Sequence, residues 1–430
     1  MTARESVLKA LYSIEKSGTY TNAALQTALN QGDFSSADKG LITEIIYGVV
    51  SNRIAIDYII SRFSKIKIKK MSPWVLNILR MGIYQLYYMD KIPQSAACNE
   101  SVTLAKRYSH GAGAGFVNGV LRSATKEAGD FSFPKTENTE ADLSLKYSYP
   151  EWMTRRLVQE YGEKRCEDFF VENRKAHPTH IRANFLKIDF QSLIDLMSGE
   201  GLQCEVCGTT ETALLVKGKL NIEKSESYKR GFYSLQNISS QKTVEILDPK
   251  PDETIIDMCA APGGKSCGIA EKMGNRGKVL SFDIFNHKID LINASAKRLG
   301  IDIIKSKILD ATIKCDELLN SADRVLADVP CSGLGVIHKK PDIKWSRTED
   351  EISELCKIQE KILENAAEYV KDGGILVYST CTILPEENRL RIEKFLEKHK
   401  NFKKEYEEQI LTSTLGESGF YICKLKKEKQ

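Results

Sequence analysis

Apolar positions recur every three to four residues through roughly the first 130 positions of the chain. Val7, Leu8, Leu11 and Ile14 fall on one helical face. Leu41, Ile45, Ile46, Val49 and Val50 fall on another, with Ser36 or Asp38 placed to cap its start. Pro73 stands in the first turn of a third helix, SPWVLNILRMGIYQLYYM, where its missing N–H costs nothing. A fourth helix is predicted from about Ser95 to Tyr108 and a fifth over FVNGVLRSATKE. The two-residue alternation of a half-buried strand is absent, so residues 1–130 are predicted to form an all-helical bundle. GAGAG (111–115) reads as a flexible turn, and the polar stretch 126–144 as a linker.

The pattern then changes twice. A helix is predicted near 149–162, and short strand-like runs follow, THIRANFL and TALLVKG among them. Residues 145–235 are therefore predicted to be a small α+β domain of RRM-like kind. From residue 236 to 430, apolar runs alternate with amphipathic helices. ETIIDM (253–258), KVLSFDI (278–284), RVLADV (324–329) and ILVYST (375–380) are the strands. NHKIDLINASAKRLG and a long helix over 347–371 are the clearest helices. This alternation predicts an α/β, Rossmann-like domain, a mostly parallel sheet with helices on both faces.

Composition narrows the picture. With 430 residues and 42% hydrophobic content the chain fills real cores, and global disorder is excluded. A net charge of +4 permits a nucleic-acid partner without requiring one. The N-terminal MTARESVLKALYSIEKSG interleaves charged and apolar residues, unlike a signal peptide, and no apolar run reaches the length of a membrane span. A cytoplasmic setting is expected, where the 11 cysteines stay reduced. Cys204 and Cys207 form a C-x-x-C, but no second pair with zinc-site spacing stands nearby, and no metal is expected.

The candidate chemistry lies at the strand ends. The first strand of the series runs into DMCAAPGGK, a Gly-rich loop that leads into a helix, where Gly263 and Gly264 allow close approach of the backbone. It lacks G-x-G-x-x-G, which argues against a dinucleotide enzyme. Asp283 ends the next strand, positioned for ribose hydroxyls; Asp310 follows the next apolar run, and Asp328 ends the fourth strand. A Gly loop and three acids on one rim suit a nucleoside without phosphates. Two strands also close on cysteines, DVPCSG with Cys331 and YSTCT with Cys381. A thiolate adding to C6 of cytosine makes C5 nucleophilic, so either thiol suits covalent methylation of a pyrimidine. Spacing alone does not say which one attacks.

DMCAAPGGK, ADVPCSGLG, KKPDIKW and YSTCTILPEEN, in this order, resemble the RNA cytosine-5 methyltransferases that use S-adenosylmethionine, and the helical region resembles the antitermination factor NusB. The resemblance covers nearly the whole chain. It implies a class I methyltransferase domain, with Cys381 as nucleophile and Cys331 releasing the product. Asp328 and Lys265 are implied near the target base. Cys259, Ala260, Ala261, Pro262, Gly263, Gly264 and Lys265, with Asp283, Asp310 and Asp328, are implied to hold S-adenosylmethionine. The implied partner is 16S ribosomal RNA, free or in an early assembly intermediate, and the implied state a monomer. Val329, Asn237, Lys339 and Lys340 depart from the usual family residues without removing a reactive group. Lys339, Lys340, Lys344, Arg182, Lys187 and the basic loop KIKIKK (65–70) are the expected phosphate contacts, and Trp345 a residue to pack beside a flipped base. The alternatives are cytosine-5 methylation of another RNA and a non-catalytic RNA-binding or antitermination-type scaffold, the latter opposed by the intact cysteines and acids.

Overall fold

The computed structural model describes residues 1–109, 111–129, 131–218, 220–411 and 419–429. The chain forms two compact units: Met1–Arg174 with Ile337–Ser346, and Lys175–Val336 with Arg347–Gln430.

The first unit is helical. Its helices bury one apolar core, in which Val7, Leu8, Ile45, Ile46, Ile56, Ile78 and Leu121 are sealed from water. The helix Ser36–Ser51 starts at Ser36 itself, the residue expected as its cap. Ser35 fills that place, its Oγ accepting the Asp38 N–H. Ser72 caps Pro73–Tyr88 in the same way, with Pro73 at the first helical position. Two expectations need correction. The predicted linker contains a helix, Thr139–Tyr147, capped by Asn138 and anchored by buried Leu143 and Tyr147. Gly113, Ala114 and Gly115 of GAGAG open the helix Gly113–Thr125 instead of forming a turn. In both, tertiary burial of a few apolar residues outweighs weak local propensity.

This unit also holds residues 337–346, which contain the whole KKPDIKW motif. Trp345 Nε1 donates to Val50 O at 2.8 Å, and Arg53 stacks on the indole at 4.2 Å. Lys344 Nζ donates to Ser51 O at 2.6 Å and to Ser148 O at 2.9 Å.

The second unit carries two sheets. The smaller contains β1 (Thr179–Ala183), β2 (Gln203–Val206), β3 (Ala213–Lys217) and β4 (Tyr233–Leu235), antiparallel in the order β2-β3-β1-β4. The larger contains β5 (Thr254–Asp257), β6 (Lys278–Asp283), β7 (Ile304–Ile308), β8 (Ala322–Asp328), β9 (Val370–Thr380), β10 (Phe402–Ile410) and β11 (Phe420–Lys427). Its order is β10-β11-β9-β8-β5-β6-β7. β5 to β9 are parallel, β11 pairs antiparallel with β9, and β10 pairs antiparallel with β11. The closing antiparallel pair went unread in the sequence because KKEYEEQ breaks the apolar run. From β5 the chain winds outward through β6 and β7, then crosses back to place β8 on the other side of β5. The switch lies at the carboxyl ends of β5 and β8, where ligands of doubly wound sheets bind. Among the described residues no helix is long and apolar enough to cross a membrane.

Candidate active site

At that switch a cavity of about 500 Å³ opens. Met258, Cys259 and Ala261 line it from the end of β5, Asp283 from β6, Leu309 and Asp310 from beyond β7, and Asp328 from β8. Pro330, Ile358 and Ile362 give it an apolar wall. The three acids expected on one rim therefore do face one space. Asp283 is buried and lies 3.3 Å from Lys288 Nζ. One Asp310 oxygen is occupied by the N–H and hydroxyl of Thr312 at 2.9 and 2.7 Å. The volume and the lining, acids opposite an apolar slot, fit a nucleoside-sized ligand.

The rest of the Gly-rich loop does not line the cavity. Ala260 is buried, and its N–H donates to Phe282 O at 2.8 Å. Pro262 is exposed, following a cis peptide bond. Gly263 has φ +101°, and a Cβ there would stand 3.1 Å from the Ile292 Cα. Its glycine character thus serves a left-handed start to the helix Gly264–Lys272 and its close packing on Asn286–Leu299. Gly264 O accepts from Arg182 Nη1 at 2.6 Å.

Beside the cavity lies a reactive cluster. Cys331, three residues past β8, and Cys381, immediately past β9, bring their sulfurs to 3.1 Å. Lys265 Nζ donates to Asp328 Oδ2 at 2.6 Å, and Ser379 Oγ donates to the other oxygen at 2.6 Å. Burial opposes the Lys265 charge, but the Asp328 carboxylate outweighs it and holds the ammonium above the ordinary lysine range. A fixed cation thus sits close enough to Cys381 to favour its thiolate. Cys331 is pushed well above the ordinary thiol range by its hydrogen bond to Cys381, then by burial. Cys331 thus holds its proton more tightly than an ordinary thiol. Cys259 is pushed up as well, by burial and then by the carboxylates of Asp257, Asp328 and Asp283, so the third cysteine of the site stays neutral.

The expected phosphate contacts separate sharply. Lys339, Lys340 and the lysines of KIKIKK are exposed. Four other residues are hydrogen-bonded within the protein, Lys187 while still exposed, which corrects the reading from sequence. Arg182 is 3% exposed and forks onto Glu271 at 2.8 and 2.9 Å. It braces the Gly-rich loop. Lys187 Nζ is held by Arg230 O and Arg298 O at 2.9 Å each. Lys344 and Trp345 are bound to helical-unit carbonyls as described. A lone sequence shows charge but not the carbonyls that consume it. Sequence reasoning also missed Lys288 and Ile358 on the cavity, and Glu387, although PEEN begins four residues after Cys381.

Fold and site together define a methyltransferase of the doubly wound class. Residues 244–426 match the model of the 16S rRNA methyltransferase RsmB/F family, residues 1–126 the NusB family, and residues 149–223 the RsmF/B-like ferredoxin-like domain. The probable ribosomal RNA small subunit methyltransferase B of Bacillus subtilis is 38% identical over 99% of this chain and 99% of its own. The ribosomal RNA small subunit methyltransferase B of Proteus mirabilis is 30% identical over 93% of this chain and 92% of its own. A methyltransferase homologue from Pyrococcus horikoshii, 28% identical, superposes with a TM-score of 0.58 on 68% of this chain and 100% of its own. The chain belongs to the ribosomal RNA small subunit methyltransferase B family, whose methyl donor is S-adenosylmethionine.

Proposed function

We propose that the protein methylates C5 of a specific cytosine in 16S ribosomal RNA through a covalent bond between Cys381 and C6. The observation that carries this reading is the pair of sulfurs 3.1 Å apart at the ends of β8 and β9, beside the Lys265–Asp328 ion pair. Cytosine C5 is too weak a nucleophile to take a methyl group unaided. The Cys381 thiolate adds to C6, and the C5–C6 electron pair becomes available at C5. S-adenosylmethionine supplies an electrophilic methyl on a sulfonium sulfur. Once C5 has taken it, with the donor leaving as neutral S-adenosylhomocysteine, a base removes the C5 proton, that electron pair restores the C5–C6 double bond, and the Cys381 sulfur leaves as thiolate.

Each residue has a task in that sequence. Asp283, Asp310 and Asp328, with Cys259 and Ala261 of the Gly-rich loop, hold the cofactor against the apolar wall. Lys265 stabilises the Cys381 thiolate, and the Asp328 carboxylate orients Lys265 and meets the cytosine edge. Cys331, carrying its proton, serves release of the product. The base reaches the pocket unstacked, as base-modifying enzymes require. Free RNA or an early assembly intermediate is the substrate form.

The test uses labelled S-adenosylmethionine and a 16S ribosomal RNA transcript with wild type, Cys381→Ala and Cys331→Ala. Wild type is expected to transfer label. Cys381→Ala is expected to neither transfer nor bind covalently, and Cys331→Ala to accumulate a protein–RNA band on a denaturing gel. A band retained in Cys381→Ala and lost in Cys331→Ala would reverse the roles.

A further inference from the structure

Glu387 is fully buried six residues past Cys381, and its carboxylate touches both cysteine-bearing turns. From the Cys331 turn, the Ser332 N–H donates to Oε2 at 2.8 Å, and the Ser332 hydroxyl donates to Oε1. Gln359, on the helix Glu349–Tyr369, donates one Nε2 to Oε2 at 2.8 Å and to Pro330 O at 3.0 Å. The Ser332 and Thr382 hydroxyls bond at 2.7 Å, joining the residue after each cysteine. Asn388 completes the second turn, its side chain bonded to Thr380 and to Thr382 O. Each of these hydrogen bonds to the Glu387 carboxylate comes from a donor, the pattern that suits an ionised carboxylate.

Resting on the cysteine roles proposed above, we propose that Glu387 is a positioning residue for methyl transfer. It clamps the Cys331 turn onto the Cys381 turn and keeps Cys331 as the proton-carrying partner of the pair. The clamp is geometric: the N–H and hydroxyl that bond Glu387 belong to Ser332, the residue next to Cys331, whose sulfur lies 3.1 Å from that of Cys381. The charge adds to it: after the Cys381 hydrogen bond, burial and the charge of Cys381, the Glu387 carboxylate also pushes the Cys331 thiol upward. Two like nucleophiles in one site acquire different roles when their surroundings separate their protonation. Other titratable or charged groups close by are Tyr378, whose hydroxyl donates to Glu387 O at 2.7 Å, Cys356, Arg391 and Arg347. None of them bonds the Ser332 donors that Glu387 gathers.

The test reads each thiol separately. The full chain is alkylated with iodoacetamide across pH, and Cys331 and Cys381 are quantified on their own tryptic peptides by mass spectrometry. Glu387→Gln presents an amide NH2 to a ring of donors and removes the charge. Its Cys331 midpoint is expected to fall by about one pH unit, and its RNA adduct to persist about tenfold longer than in wild type. Ser332→Ala, which keeps the backbone donor, is expected to shift Cys331 in the same direction by less, and it decides the matter if Glu387→Gln does not fold. Adenosylhomocysteine binding, at a cavity Glu387 does not line, reports that each variant is folded. Wild-type midpoints and adduct lifetimes in folded variants would overturn the assignment of Glu387. Absence of any adduct in wild type would instead overturn the cytosine-5 reading, while the alkylation profiles, which need no RNA, still judge the clamp.

Discussion

Lys265 and Lys344 are the same side chain in two regions of one molecule, and their fates differ. Lys265, after the Gly-rich loop, gives its ammonium to the Asp328 carboxylate at 2.6 Å. Lys344, in the helical unit, finds only carbonyls and the faces of Tyr149 and Trp345, at 4.3 and 5.3 Å. Asp328 holds Lys265 above the ordinary lysine range, whereas burial drives Lys344 well below it. A buried cation keeps its charge when a carboxylate shares the burial, and is penalised when dipoles alone receive it. The first arrangement suits chemistry beside a thiolate; the second joins a helix end to a loop.

The largest expected effect comes from Lys265→Met. Removing the fixed cation beside Cys381 is expected to lower methyl transfer at least about 100-fold, measured with labelled cofactor. A loss below about threefold would mean that Lys265 serves packing, as Lys344 does.

Lys344→Met comes next. The Ser51 and Ser148 carbonyls lose their donor, and the unfolding free energy is expected to fall by about 2 kcal/mol in urea titrations. The pH dependence sharpens the contrast. The folded state holds the Lys344 proton less readily than the unfolded chain does. The stability from this group is therefore present above the ordinary lysine value and lost as pH falls through the folded value. Lys344→Met is expected to lack that slope; an unchanged slope would place the ammonium in water.

The smallest effect concerns Asp257, which touches the electrostatics of Lys265. Burial lifts its carboxyl to about 6, and its Oδ1 has no hydrogen-bond partner, while Oδ2 accepts from Ser266 at 2.6 Å. A raised acid contributes stability that is complete below its unfolded value and lost as pH rises through about 6. Asp257→Asn is expected to gain about 1 kcal/mol at pH 8 and nothing at pH 4, seen as a shift in melting temperature between the two pH values.

The same contrast explains how much the sequence revealed. Strand ends are written plainly: β5, β6, β8 and β9 are apolar runs that stop at Asp257, Asp283, Asp328 and Thr380, and the chemistry follows directly. That the three acids share one cavity and the two thiols lie side by side was legible because each follows an apolar run. Arg182, Lys187, Lys344 and Trp345 were misread because their partners are backbone carbonyls or distant residues, and neither has a sequence signature. Glu387 lies on the same footing, since its donors come from residues 332 and 359. The helix Thr139–Tyr147 was missed because only Leu143, Ser144 and Tyr147 are buried, too few to set a period.

The most direct measurement is the identity of the residue that RNA is bonded to. Cys331→Ala would be incubated with S-adenosylmethionine and a 16S ribosomal RNA transcript, digested with nuclease and trypsin, and mapped by mass spectrometry. The expected result is a modified cytidine on the peptide containing Cys381, absent when Cys381→Ala is added. A nucleotide on any other cysteine, Cys259 included, or an adduct that survives Cys381→Ala, would contradict Cys381 as the nucleophile.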